Sequence, residues 1–214
     1  MRLPMRCFYL LLAGLATACA TTSGSLRLGP SPAAIPEMAF VSPLSFIVLD
    51  GSSRNHTTLD ATEESERLLH QLVVRHRFQL RLQGEVLLPD SLRQPFGQEI
   101  FKAINGISRH ERLGTRALLP TLDYLAATQP QRYLLVTAAT GYTAGPPQFL
   151  SNAALLSYPQ PVSHLYVLIY DREQQALVYY TASPHLAMGH EPLDAASLEA
   201  QFSQLLGPDF PLPH

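Results

Sequence analysis

The sequence predicts an α/β fold, a single domain in which helices pack on a mixed sheet as a two- or three-layer sandwich. Three observations predict it. Apolar runs of strand length alternate with amphipathic stretches of helical period. Tyr133-Leu-Leu-Val-Thr-Ala-Ala139 is almost continuously apolar, as a strand covered on both faces should be. Leu165–Tyr170 and Ala176–Thr181 are strand-like runs joined by the polar stretch Asp171–Gln175, which reads as a hairpin.

The elements follow in order. Leu44–Leu49 is a β-rich apolar run ended by the loop residues Asp50-Gly51-Ser52-Ser53. Thr58 or Asp60 caps a helix whose first turn carries Glu63 and Glu64, where negative charge suits the dipole. Leu68, Leu69, Leu72 and Val73 share one face of it, and it is expected to run to about Arg77. Phe78–Leu88 alternates loosely, as a strand interrupted at Gly84. Ser91–Ile107 and Thr115–Ala127 read as helices, the first bent or delayed by Pro95. Leu193–Leu206 is a closing amphipathic helix with Leu198, Phe202, Leu205 and Leu206 facing inward.

The chain divides into a signal peptide (1–18), a cysteine followed by a flexible tether (19–43), the α/β domain (44–206) and a proline-studded tail (207–214). Arg2 and Arg6 precede the apolar run Phe8–Ala18, which is too short for a transmembrane helix of about 20 residues and has the size of a secretory core. Ala16-Thr17-Ala18-Cys19 resembles the lipobox of bacterial lipoproteins, although Leu stands at position 15 rather than 16. The resemblance implies diacylation of Cys19. The other reading is an ordinary signal peptide cut near Ala18 or Ala20. Cys7 and Cys19 are the chain's two cysteines, so loss of the signal leaves Cys19 alone and excludes an internal disulfide. A lipid on that thiol would also remove a reactive group from an oxidising compartment. Pro30, Pro32, Pro36 and Pro43 give the next segment the look of an extended spacer.

The formal net charge is −2, and loss of Arg2 and Arg6 makes it −4. Mild acidity without a basic patch argues against nucleic-acid binding. No catalytic constellation stands out. Asp50-Gly-Ser-Ser-Arg54 has the hydroxyls and glycine of a phosphate loop, but a strand-to-helix turn explains them more simply. The nucleophile elbow Gly-x-Ser-x-Gly is absent. Asp50, Ser52 and His56 are the first residues to test for a hydrolase. His185 and His190 lack the spacing that puts two ligands on one helix face, and a solvated loop explains them. His70 and His76 lie beside Arg75 and Arg77, which suggests a wet face. Tyr166, Tyr170, Tyr179 and Tyr180 could line a cleft, but sheet packing explains most of them. No cofactor and no metal are expected.

Phe46–Asn55 (FIVLDGSSRN) followed by a helix, Gln131–Thr137, the turn at Gly141-Tyr142 and the pair Leu168–Asp171 and Ala176–Tyr179 together resemble envelope lipoproteins. The families are the curli-secretion and penicillin-binding-protein-activator types, and the likeness spans about residues 44–206. It departs from the curli family at Gly51, where a bulky aromatic would be expected, and in lacking transmembrane hairpins. The resemblance implies an α/β fold and a non-catalytic role in assembling or activating a complex. The expectation is a lipoprotein anchored in the bacterial cell envelope, at the periplasmic or surface face of the outer membrane. It would bind an envelope protein or copies of itself, and a lipid-anchored hydrolase is the alternative. The long segment Gly141–Pro161 offers Tyr142, Phe149 and Tyr158 as contact residues, because loops of that length are usually functional or disordered.

Overall fold

The computed structural model of the chain describes residues 25–50, 56–57, 59–110, 112–113, 119–144, 162–183, 186–187, 195–207 and 209–211. Its centre is the strand the sequence marks most clearly. β6 runs Tyr133–Ala144, five residues beyond the expected apolar run. It pairs antiparallel with β7 (Val162–Asp171) along one edge. Its other edge is shared. β2 (Met38–Val41) takes the first part and β3 (Leu44–Asp50) the second, both parallel to it. The break between β2 and β3 falls at Ser42-Pro43, where proline cannot supply a ladder N–H.

The sheet continues outward on both sides. β5 (Leu82–Val86) pairs parallel with β2. Beyond β7 come β8 (Ala176–Ala182) and then β1 (Leu26–Arg27), both antiparallel. Two short strands complete it: β4 (His56–Thr57) on β3, and β9 (Leu186–Ala187) on β7. The expected hairpin is present, with Val178 bulged out of register where Tyr170 passes to Leu177.

Among the described residues four helices cover the two faces, so the sandwich has three layers. α1 (Leu59–Arg75) and α4 (Ala195–Leu206) lie on one face, packing Leu69, Leu72, Val73, Leu198 and Phe202 against Leu135, Leu165 and Ile169. α2 (Asp90–His110) and α3 (Pro120–Ala127) lie on the other, with Phe96, Ile100, Ile104 and Leu122 against Leu134, Val136 and Leu168. Leu134, Leu135 and Val136 are all buried, so successive residues of β6 feed opposite cores. A fully buried leucine contributes about 1.5–3 kcal/mol over an exposed one.

Several boundaries differ from expectation. The segment expected as a tether folds from residue 25. It supplies β1, a 3₁₀ turn at Pro32–Ala34 and β2, with Ile35 and Met38 buried. Arg81 holds it in place. In a left-handed conformation at φ 54°, Arg81 donates from its guanidinium to the carbonyls of Ala33 and Ile35, the latter at 2.9 Å. The expected tail also packs. Phe210 is buried edge-on against Tyr179, and Asp209 accepts the Tyr179 hydroxyl at 2.8 Å. Pro95 does not delay α2, which starts at Asp90 and carries the proline in its second turn at the loss of one hydrogen bond. α3 starts at Pro120, with proline in the first helical position, rather than at Thr115. Residues 115–118 lie outside the described set, as do 193 and 194 of the expected closing helix. Glu99 of α2 caps α3 by accepting the N–H groups of Thr121 and Leu122 at 2.9 and 3.0 Å. The strand within Phe78–Leu88 is confined to Leu82–Val86. Gly84 does not interrupt it.

Candidate functional site

Topology creates a crevice at the far end of β6. The chain leaves β3 for α1 on one face, whereas from β5 it passes to α2 on the opposite face. Where neighbouring strands send their helices to opposite faces, the helices diverge and a crevice opens beside the strand ends, the usual ligand position in open α/β sheets. β5 accompanies β2 as far as Val41, and β4 pairs only with Val48 and Leu49. The start of β3 therefore has no described strand beside it on that edge.

A side chain fills part of this gap. The Ser45 N–H donates to Glu66 Oε1 at 3.1 Å, and the other Glu66 oxygen accepts from the Arg93 guanidinium. Glu66 thus links β3, α1 and α2 at once.

Beyond that link lies a cavity of about 800 Å³. Leu44, Phe46, Phe101, Ile104 and Tyr166 give it an apolar lining, while Glu63, Asp90, Arg93 and Asn105 stand among its polar residues. Phe46 remains 45% exposed and meets Phe101 at a ring-centre distance of 5.8 Å. Tyr166 shares a hydroxyl contact with Thr140 at 3.5 Å, and its ring approaches Tyr180, whose hydroxyl meets Ser108 at 3.1 Å. Burial pushes the phenols of Tyr166 and Tyr180 above the ordinary tyrosine value, so both are neutral hydrogen-bonding groups at physiological pH. A second cavity of about 570 Å³ shares Glu63, Glu66, Asp90 and Arg93 with the first and adds Ser42, Pro43, Arg67 and His70. Together they form one groove between α1 and α2.

The groove's lining contains an unusual pair. The Ser45 and Thr62 hydroxyl oxygens are buried without a hydrogen-bond partner, and so is that of Ser65 one turn along α1. Buried polar atoms are normally satisfied. Chemically, the groove can bury an apolar group and offer charged edges to its flanks. Among the described residues no three His, Cys, Asp or Glu side chains gather as metal ligands. None of the described helices is long and apolar enough to cross a membrane.

The structure locates the sequence candidates unevenly. Cys19, Ser52, Phe149, Tyr158, His185 and His190 lie outside the described residues. The backbone of Tyr142 is in β6, opposite Val48 and Val162, and its side chain lies outside the described set. Asp50 and His56 are known by backbone only. Leu49 pairs with His56, so the backbones of Asp50 and His56 lie near one another. Tyr170 and Tyr179 are sheet-packing residues, fully buried in opposite cores, and only Tyr166 lines the groove. The wet face expected at His70 and His76 is half-buried. His70 packs on Phe40 and meets Glu85 at 3.0 Å, and His76 packs on Phe202 and meets Glu199 at 3.1 Å. Glu66, Arg93, Phe46 and Phe101 escaped sequence reasoning. The one available signal was Pro43, which ends the pairing of β2 and isolates the start of β3.

No family model matches the chain, and no curated protein is significantly similar to it. Among solved structures, the PelC dodecamer from Paraburkholderia phytofirmans is similar at a TM-score of 0.42 and 14% identity, over 87% of this chain and 95% of that one. The LpoB C-terminal domain from Salmonella enterica gives 0.31 and 10%, over 75% and 87%. Protein XCC0632 from Xanthomonas campestris gives 0.30 and 13%, over 85% and 84%.

Proposed function

We propose that this chain is a lipid-anchored protein of the bacterial envelope whose α/β domain works by contact, receiving part of a protein partner in the groove between α1 and α2. The observation that carries the reading is the groove's composition. Phe46 and Phe101 form an accessible aromatic pair beside charges already neutralised by one another, Glu66 with Arg93 and Glu64 with Arg67. Aromatic anchors in a desolvated pocket dominate binding energy, whereas exposed ion pairs add little. Tyr142, Phe149 and Tyr158 belong to the same proposal. They are carried by the chain between Thr140 and Tyr166, which both line the groove. Cys19 carries the anchor in this reading.

Two measurements test the two halves. Cys19→Ala should move the protein from the membrane to the soluble fraction, and retention equal to wild type would refute the anchor. Phe46→Asp should leave the melting temperature within about 2 °C, because Phe46 is already exposed, while abolishing recovery of partners cross-linked in the native host. Equal recovery would remove the groove as the contact surface.

A second reading is a hydrolase using Asp50, Ser52 and His56, because the pairing of Leu49 with His56 brings the backbones of Asp50 and His56 near one another. Ester turnover by purified protein that is lost in both Ser52→Ala and His56→Ala would establish it.

A further inference from the structure

The described residues begin at Ser25, and β1 follows at once. Five residues, 20–24, separate Ser25 from Cys19. At full extension the span from Cys19 to Ser25 reaches about 20 Å. A domain of this length has a radius of gyration of about 16 Å. With a lipid on Cys19, as proposed above, that leash is too short to lift the domain clear or to let it turn freely. The β1 edge then stays within about two Debye lengths of the headgroups. What stands beside β1 therefore faces the bilayer. Leu26 lies opposite Tyr180, and the Tyr180 hydroxyl meets Ser108 of α2 at 3.1 Å. The last turn of α2 is thereby held beside β1. It carries Arg109 and His110, both exposed, and Arg112 follows, also exposed. Leu28, on the same face of the extended chain as Leu26, is 50% exposed.

We propose that this corner of the domain, formed by Leu28, Arg109 and Arg112 with Arg27 at the edge, lies on the anionic headgroups of the membrane that holds the Cys19 lipid. The docking rests on the anchor proposed above and not on the groove. Charge and position commit it to a lipid surface. Arg67, Arg75, Arg93 and Arg132 are each held by a carboxylate, whereas among the described residues Arg109 and Arg112 meet none. Arg27 has Asp209 at 3.9 Å, and Glu111 is the one acid within the stretch Arg109–Arg112. The helix dipole accounts for a base in the last turn of α2, but not for Arg112 beyond it. These arginines flank an exposed leucine at the place where the leash enters the fold. Binding to a bilayer surface combines burial of apolar groups with attraction to anionic lipid, and the corner offers both. Each arginine that reaches such a surface favours the docked state about fivefold.

Fluorescence quenching in vesicles tests the corner, with the full chain purified from its native host and reconstituted. A thiol-reactive fluorophore first reads the anchor. Wild type, left with Cys19 alone once the signal is cut, should take no label because the lipid blocks the thiol. Labelling of wild type would refute the anchor and this docking with it. Pro30→Cys, exposed close to Leu28, then carries the fluorophore. Nitroxide-headed lipids should quench it at least about threefold more in phosphatidylglycerol–phosphatidylethanolamine vesicles than in phosphatidylcholine vesicles, and high salt should erase the difference. Arg109→Gln combined with Arg112→Gln should abolish the preference for anionic lipid. Arg77→Glu changes the net charge by the same amount. Arg77 gives its carbonyl to Leu82 at the start of β5, across the sheet from β1, so the preference should survive that change. Equal quenching in the two kinds of vesicle, with wild type unlabelled, leaves the anchor standing and overturns the docking. Loss of the preference in Arg77→Glu to the same extent as in the double variant also overturns it, because net charge and not this corner would then be responsible.

Discussion

The ion-paired start of β6 and the β3 side of its far end are held differently. At its start, Arg132 donates to both oxygens of the fully buried Asp171, from Nε at 3.0 and 3.1 Å and from Nη2 at 2.6 Å. The same carboxylate accepts the N–H groups of Glu173 and Gln174, so one side chain fixes the β7–β8 turn, where Gln175 adopts φ 50°. Toward the far end, on the β7 side, Gln201 of α4 donates to Ser163 and accepts from Ser183, whose oxygen also takes the Leu165 N–H. On the β3 side of that same end, hydroxyls of Ser45, Thr62 and Ser65 are buried unpaired, and Phe46 faces solvent. The difference teaches where this fold keeps its stability and where it keeps a surface free. A saturated polar network specifies one arrangement, while an unsaturated one retains capacity for a ligand.

The contrast can be broken most forcefully at its closed end. Arg132→Ala should cost about 3 kcal/mol in denaturant unfolding, because it leaves the Asp171 carboxylate buried and unpaired. A loss under 1 kcal/mol would show that the clamp is dispensable. On the β7 side of the far end, Gln201→Ala should cost about 2 kcal/mol, since it strips hydrogen bonds from two buried serines, although Ser163 has further interactions. Alkaline pH attacks the closed end through Tyr179. Burial, then the hydrogen bond to Asp209, raises its ionisation well above the ordinary tyrosine value of about 10. A phenol whose pKa is raised by folding stabilises the fold fully below that ordinary value and loses the effect as pH climbs toward the folded one. Stability should therefore fall above about pH 10. Ionisation of Tyr179 followed at 295 nm should coincide with loss of circular dichroism in wild type. Ionisation in a fully folded chain would contradict this.

The smallest effect belongs to the open end. Ser45→Ala should change stability by less than about 0.5 kcal/mol, and in the stabilising direction, because it removes an unsatisfied oxygen rather than a hydrogen bond. A loss above about 1 kcal/mol would mean that this hydroxyl is paired, and the comparison would narrow to Phe46 and Thr62.

Much of the layering was legible because local pattern and burial agree. Tyr133–Ala139 is apolar throughout because helices cover both its faces, and the inward stripe of α4 is written in Leu198, Phe202, Leu205 and Leu206. Residues 25–43 misled because composition cannot separate a solvated proline-rich spacer from one pinned by a distant residue. Here the pin is Arg81. Phe210 misled for the same reason, its partner being Tyr179. The groove was less legible still. Glu66 reads locally as one of several charges at a helix start. Its importance comes from Ser45 and Arg93, which the chain supplies from either side of α1.

The sharing of one edge of β6 by β2 and β3 has a consequence for the order in which the chain assembles. β7 and β8 are neighbours in sequence and can pair soon after they are made, whereas β2 and β3 precede their partner by most of the domain's length. Ribosomes deliver the N-terminal strands first. Until Tyr133–Ala144 emerges, Phe40 and Val41 have only β5 to pair with and Ile47 lacks its central strand, and closing so long a loop is slow. The nascent chain therefore passes through an interval in which its most apolar early strands are unshielded. A holding chaperone should bind within residues 38–50 of stalled chains that end before residue 133, and should release once the stall point lies far enough downstream to free β6.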